Sequence, residues 1–154
     1  MCRYAFTTYK QHYACFTCRK SFKRKLKQDV DPDGDENLAV CPQCGKPTAE
    51  MGLDFKPPPQ QRKKDWELVQ SLWTLGETFH SCGCGGPGYR PKSHPEYRAF
   101  LEERLGEYEE TLRRWVDGPR EQPGREQAIA AWRSRVGRIE AAIRKPSPRK
   151  TSRG

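Results

Sequence analysis

The chain carries two Cys-x-x-Cys pairs, Cys15-Phe16-Thr17-Cys18 and Cys41-Pro42-Gln43-Cys44, with 22 residues between them. Each pair places two thiolates on one side of a tight turn, and two such turns facing each other form the tetrahedral four-sulfur cage that structural zinc prefers. The separation slightly exceeds the ~15–20 residues usual for this pattern, and a hairpin can accommodate the difference. Gly45 follows the second pair, where such a turn needs a residue that tolerates positive φ. We therefore predict that Cys15, Cys18, Cys41 and Cys44 bind one structural zinc ion.

Two disulfides or four free buried thiols are the alternatives to a metal site. The chain has seven cysteines, an odd number that a fully disulfide-paired monomer cannot use up. The first residues lack the apolar run of a secretory signal, and no stretch of about 20 apolar residues is present to span a bilayer. These features predict a reducing, cytoplasmic setting without a membrane partner, which favours metal over disulfides.

Composition and charge restrict the fold and the partner. Of the 154 residues, 34% are hydrophobic and 32% are charged, so a single large core is not expected and metal binding is a reasonable source of folding free energy. The net charge of +9 is uneven: residues 1–30 and residues 133–154 each carry +7, whereas residues 31–45 carry −4. Clusters of positive charge at both ends predict a polyanionic partner.

The cysteine pattern resembles the zinc-ribbon class over roughly residues 3–56. The resemblance implies a three-stranded antiparallel sheet around one structural zinc, in a protein that binds nucleic acid or docks in the transcription or translation machinery. We expect strands in residues 3–14, 38–40 and 49–55, with a hairpin between the cysteine pairs whose tip is residues 29–37. The resemblance does not extend to the remaining two-thirds of the chain.

A basic segment follows the first cysteine pair, and on a strand its residues Ser21, Lys23, Lys25 and Lys27 would share one face. A charged edge strand kept soluble by lysine is the alternative, but six basic residues in nine exceed that need. The predicted nucleic-acid contacts are Lys20, Lys23, Arg24, Lys25 and Lys27 to phosphates, with Phe16 stacking on a base. RNA is favoured over duplex DNA because no helix reads as a major-groove recognition element.

The acidic hairpin tip is predicted to be a solvated turn, because Asp31-Pro32-Asp33-Gly34 is strong turn chemistry. Its opening is similar to an EF-hand calcium loop, but Val40 stands where that loop needs a bidentate Glu. Asp35-Glu36 also resembles the acidic tip of the ribbon in transcript-cleavage elongation factors, although the Pro-Gly turn departs from that pattern.

A second cysteine-rich segment contains His80, Cys82 and Cys84, which could ligate a second metal with Cys2 or His94 as the fourth ligand. The alternatives are a tight loop with small buried cysteines, a phosphate cradle that lacks the Lys-Ser or Lys-Thr of a P-loop, and a nucleophilic cysteine beside His80.

Helices are predicted after Pro57-Pro58-Pro59, which marks a boundary. One spans residues 65–75, with Trp66, Val69, Leu72 and Trp73 on its apolar face; two longer ones span 93–116 and 121–144 and form an antiparallel hairpin. The predicted architecture is small α+β: a zinc ribbon (1–56), a linker with a short helix and a Gly/Cys-rich loop (57–92), the helical hairpin (93–144) and a disordered basic tail (145–154).

The first functional hypothesis is a non-enzymatic zinc protein that binds nucleic acid, preferably RNA, through the basic ribbon face and the basic tail. The second is a protein-interaction adaptor of a nucleoprotein machine that docks through the helical hairpin. The third is a metal- or thiol-dependent enzyme that uses the His80/Cys82/Cys84 loop.

Overall fold

The computed structural model describes residues 10–25, 39–80 and 87–145 of the chain. Within these ranges three antiparallel strands are followed by three helices, which confirms the predicted small α+β class. The chain divides into two compact units, residues 1–90 and residues 91–154. Among the described helices, none is long and apolar enough to cross a membrane.

The sheet of the first unit consists of β1 (Lys10–Cys15), β2 (Lys20–Lys25) and β3 (Ala49–Gly52), in the order β2-β1-β3. The predicted three-stranded antiparallel sheet is therefore present, with a different pairing. β1 and β2 form a hairpin around the first cysteine turn, and Val40 makes an isolated bridge with Pro47 around the second instead of joining a strand that pairs with β2. The predicted tip at residues 29–37 and the beginning of the first predicted strand, residues 3–9, lie outside the described residues.

The core of this unit lies between one face of the sheet and α1 (Lys63–Thr74). It is formed by buried apolar side chains from the sheet, the segment after β3 and the helix: Ala14, Ala49, Met51, Phe55, Trp66 and Val69. The predicted helix is confirmed to within two residues at each end, and it ends before Gly76 at φ +83°. Three residues of its predicted apolar face, Trp66, Val69 and Leu72, are buried. The fourth, Trp73, is 40% exposed, and Leu68, which was not included, is 4% exposed.

The chain returns to β3 after α1. The amide of Phe79 donates to Met51 O at 2.7 Å, and Phe79 O accepts from the amide of Asp54 at 3.1 Å. Gly52, at φ +96°, makes this approach possible, because a Cβ there would lie 2.5 Å from the Phe79 carbonyl carbon. Residues 79 and 80 therefore lie directly against the outer edge of β3.

The second unit is the predicted helical hairpin, formed by α2 (His94–Asp117) and α3 (Arg125–Arg144). Ser93 caps α2 by accepting a hydrogen bond from the amide of Glu96, as predicted, while the Glu96 carboxylate accepts from the amide of Lys92. α3 begins four residues later than predicted, because Gly124 adopts a left-handed conformation at φ +75°.

Candidate metal centre and basic face

The four cysteine sulfurs of the two pairs lie within 4.8 Å of one another. Cys15 Sγ is 3.6 Å from Cys44 Sγ, and Cys41 Sγ is 4.0 Å from Cys18 Sγ. A disulfide requires about 2.05 Å, so none of these cysteines is paired. A tetrahedral metal with metal–sulfur bonds of about 2.3 Å places its sulfurs about 3.8 Å apart, and the two measured separations lie on either side of that value. The four cysteines are thus positioned to hold one metal ion.

The two cysteine turns have the same backbone design. Arg19 follows the first pair at φ +51° and Gly45 follows the second at φ +69°, so both turns end in a left-handed residue. In the first turn the amide of Cys18 donates to Cys15 Sγ at 3.4 Å. In the second the amide of Gly45 donates to Cys41 O and the amide of Cys41 donates to Lys46 O, both at 2.8 Å. These hydrogen bonds hold each pair of sulfurs on the same side of its turn.

The protonation of the sulfurs depends on their neighbours. Burial by itself would raise the pKa of the Cys41 thiol, but the amides of Cys44 and Gln43 donate to its sulfur and lower that pKa to about 7. Hydrogen bonding with Cys44 raises the pKa of Cys18 to about 12. Without a cation, four thiolates cannot lie this close together at neutral pH; a bound divalent metal would keep all four deprotonated.

Side chains outside the turns connect them to each other and to the rest of the unit. Lys20 Nζ donates to Gln43 Oε1, which joins the first turn to the second. Arg19 Nε donates to Gln60 O at 2.9 Å, and Gln60 Nε2 donates to Cys18 O at 3.0 Å. The first turn is therefore attached to the segment that leads into α1.

The β1–β2 register assigns the basic residues to opposite faces of the hairpin. One face, which we call the lysine face, contains the pairs Lys10/Lys25, His12/Lys23 and Ala14/Ser21. The opposite face, which we call the cysteine face, contains the pairs Gln11/Arg24, Tyr13/Phe22 and Cys15/Lys20. The predicted common face of Ser21, Lys23 and Lys25 thus agrees with the register, while Lys27 lies outside the described residues. Lys10 was not among the predicted contacts, because only the register shows that it lies opposite Lys25.

Two of the predicted nucleic-acid contacts, Lys20 and Arg24, also have hydrogen-bond partners within the ribbon. On the cysteine face, Arg24 Nη2 donates to Val40 O and Lys20 donates to Gln43. Both side chains hold residues 40–43 against the hairpin. Lys10, Lys23 and Lys25 are exposed on the other face, and none of them forms an ion pair with any residue in the ranges 10–25, 39–80 and 87–145.

Phe16, predicted to stack on a base, is half-buried. Its ring centroid lies 6.4 Å from that of Trp66, edge to face, and 5.7 Å from that of Trp73 at an angle of 51°. The exposed aromatic ring at this position is the indole of Trp73. The sequence pattern placed Trp73 on the apolar face of the helix, so the exposure of its indole was not predicted.

The residues of the predicted second metal site are described only in part. Cys2, Cys82 and Cys84 lie outside the described residues, as does the acidic pair Asp35-Glu36. His80 Nε2 is 3.8 Å from Glu50 Oε1, beside β3. In the second unit His94 begins α2, and its buried Nε2 has no hydrogen-bond partner in the part of the chain that the structure describes.

No family model, curated protein or solved structure matches this chain. The interpretation of the cysteine cluster and of the lysine face therefore rests on their geometry and chemistry.

Proposed function

We propose that this protein is a non-enzymatic nucleic-acid-binding protein whose ribbon is held together by one structural zinc ion. The observation that carries the proposal is the lysine face, on which Lys10, Lys23 and Lys25 lie together without an ion-pair partner among the described residues. The partner is single-stranded or irregular RNA in preference to duplex DNA.

Zinc fits the donor set best. Four thiolates at tetrahedral separations suit a closed structural site, in which every coordination position is filled by protein and none is left for a substrate. Such a site contributes folding free energy to a unit whose core contains few large side chains. The ion would hold the two cysteine turns together and thereby fix the end of the β1–β2 hairpin.

The lysine face is difficult to explain by folding alone. Like charges directly opposite each other on two strands destabilise a sheet, and the register places Lys10 opposite Lys25. On the same face, Lys23 lies opposite His12, and burial together with this ammonium group lowers the pKa of His12. A bound polyanion would remove this repulsion, and release of its counterions would favour binding.

The preference for RNA is supported by the composition of α1. This helix packs its apolar side on the sheet through Trp66 and Val69, and its remaining residues include both acidic and basic side chains, so it lacks the basic face of a recognition helix. Single-stranded RNA can instead follow a cationic strand face with its bases available for stacking. Exposed arginines of α3 and the basic residues of the tail would add affinity that does not depend on sequence: Arg133, Arg138, Arg144, Arg149, Lys150 and Arg153.

The test is the salt dependence of RNA binding by the zinc-loaded full-length protein. We expect the Lys10→Gln/Lys23→Gln/Lys25→Gln variant to bind more weakly than the wild type. The slope of log K against log salt should fall by about 2, because about 0.7 is lost for each single-strand phosphate contact removed. The matched control removes three exposed lysines outside the β1–β2 hairpin, in Lys56→Gln/Lys63→Gln/Lys64→Gln, and should keep the wild-type slope. Equal slopes for the two variants, or a wild-type affinity that is constant from low to high salt, would contradict the proposal.

A second candidate function, protein docking through the helical hairpin, is favoured by Val116, whose side chain is 40% exposed at the end of α2. The ring pair Tyr108–Trp132 holds the two helices together nearby, with centroids 5.2 Å apart. A partner captured by the wild type after nuclease treatment, and lost with Val116→Asp, would support this function over the first.

A further inference from the structure

The exposed indole of Trp73 is unusual for its helix. α1 also contains Trp66, which is 3% exposed and belongs to the core, whereas Trp73, two turns later, is 40% exposed. Tryptophan is enriched at binding interfaces, because its ring offers a large apolar surface and its N–H a hydrogen-bond donor.

Behind Trp73, aromatic rings continue into the core. Trp73 lies against Phe16 at 5.7 Å, Phe16 lies edge-on to Trp66 at 6.4 Å, and Trp66 lies edge-on to Phe55 at 6.5 Å. Trp66 is fixed in turn by a hydrogen bond from its Nε1 to Pro59 O at 3.2 Å. Because its support is rigid, the Trp73 indole would lose little conformational entropy on binding a planar ligand.

The surroundings of this ring pair are cationic. Phe16 lies within the first cysteine turn, which is followed by Arg19 and Lys20. The guanidinium of Arg19 uses its Nε for Gln60 O and forms no ion pair with any residue of the described ranges. Phe16 directly follows β1, whose Lys10 and His12 lie on the lysine face, while Ala14 between them and the ring is buried in the core. Lys10 and Phe16 are six residues apart, or about 20 Å along a strand.

We propose that Trp73, supported by Phe16, is a stacking platform for an unpaired base, and that it makes the ribbon selective for single strands over duplexes. This inference rests on the proposed nucleic-acid function and adds to it the residue that receives a base and thereby discriminates single strands from duplexes. The lysine face holds the phosphates, while the indole receives a base, which a duplex keeps inside its own stack. A duplex can therefore use only the electrostatic part of the surface.

The experiment compares two probes on the zinc-loaded full-length protein: fluorescein-labelled oligouridine of about 12 nucleotides and a blunt RNA duplex of the same length. We expect Trp73→Ala to weaken oligouridine binding by about 5- to 160-fold, which corresponds to the loss of one base–aromatic stack. The slope of log K against log salt should not change, and neither should the affinity for the duplex. Trp73→Phe should recover most of the lost affinity. Tyr89→Ala, which removes another exposed ring of the same unit, is the matched control and should bind as the wild type does.

A second measurement keeps the inference testable if Trp73→Ala does not fold. Stacked bases quench indole emission, so oligouridine should quench the wild type more than Trp73→Phe, which keeps the other three tryptophans. Any of three results would overturn this inference. They are equal oligouridine affinity for Trp73→Ala and the wild type, an equal loss of affinity for oligouridine and for the duplex, and equal quenching of the wild type and Trp73→Phe. If the triple lysine variant still loses affinity in that case, the proposed function survives. A wild type that binds neither probe overturns both.

Discussion

Arg19 and Gly45 occupy the same position in the two cysteine turns, each directly after the second cysteine of its pair and each with left-handed backbone geometry. Only the second of these positions is occupied by glycine, which adopts left-handed geometry without steric cost. Left-handed geometry costs a residue with a side chain about 1–2 kcal/mol, so the first turn tolerates strain that the second avoids. The hydrogen bonds of Arg19 and Gln60 around the first turn are one compensation.

The conformational cost at Gly45 can be measured directly. A Cβ at this position meets no atom within 4 Å, so Gly45→Ala adds backbone strain without a clash. We expect it to lower the free energy of unfolding by about 1 kcal/mol in urea titrations of the zinc-loaded protein. The control is Gly106→Ala in the middle of α2, also in open space, which should raise it by about 0.5–1 kcal/mol. A stabilising effect of Gly45→Ala would show that the turn does not need a left-handed residue.

The Gly52 position should be far more sensitive. There a Cβ would lie 2.5 Å from backbone atoms of Phe79 and His80, in addition to the strain of φ +96°. We expect Gly52→Ala to destabilise the protein by about 2–5 kcal/mol. Gly76→Ala, at φ +83° with nothing within 4 Å, isolates the strain and should cost only about 1 kcal/mol. Similar losses for the two variants would mean that residues 79 and 80 do not lie against β3.

Metal content tests the cysteine cluster. We expect one zinc per wild-type chain by elemental analysis, and loss of that zinc in Cys15→Ser and Cys44→Ser, since each removes one of the four thiolate ligands. Chelation should likewise abolish the cooperative unfolding of the ribbon. The variant Cys82→Ala/Cys84→Ala serves as the control and should keep the wild-type zinc content. Two zinc ions in the wild type and one in this control would instead establish a second site.

His12 should make stability depend on pH. Burial and the nearby Lys23 lower its pKa below the usual 6.5, with Asp54 partly opposing. Between the lowered pKa and 6.5 the unfolded chain binds more protons at this position than the folded chain, so the free energy of unfolding rises with pH. Stability is therefore reduced as the pH falls below 6.5, and His12→Gln should reduce that dependence.

The measurement is the difference between the wild type and His12→Gln in urea midpoint, taken from pH 5 to pH 8 with zinc in excess. Since both proteins keep the four cysteines, acid-induced loss of metal affects them equally. If the difference in urea midpoint between the wild type and His12→Gln is constant from pH 5 to pH 8, the lowered pKa of His12 is contradicted.

The metal centre was predictable from sequence, because the geometry of a Cys-x-x-Cys turn is local. Two residues between the cysteines are enough to bring their sulfurs to one side, and Gly45 marks the end of the second turn. The helices were predictable for a similar reason, since Ser93 and Glu96 specify the beginning of α2 through contacts within one turn. α3 was placed less accurately, because its beginning depends on the loop conformation at Gly124.

The tertiary structure alone decided which basic residues lie on the same face. Strand pairing joins residues that are far apart in sequence, and a shift of one residue in register would have exchanged the two faces of the hairpin. That register placed Lys10 with Lys23 and Lys25, and it turned Lys20 and Arg24 toward the second cysteine turn. Helical periodicity likewise identified an apolar stripe on α1 but not its centre, because the packing of Trp66 against Phe55 and Phe16 fixes the rotation of the helix. Residue spacing thus determined the local turns and helices, while long-range packing left Trp73 in solvent and brought three lysines to one face.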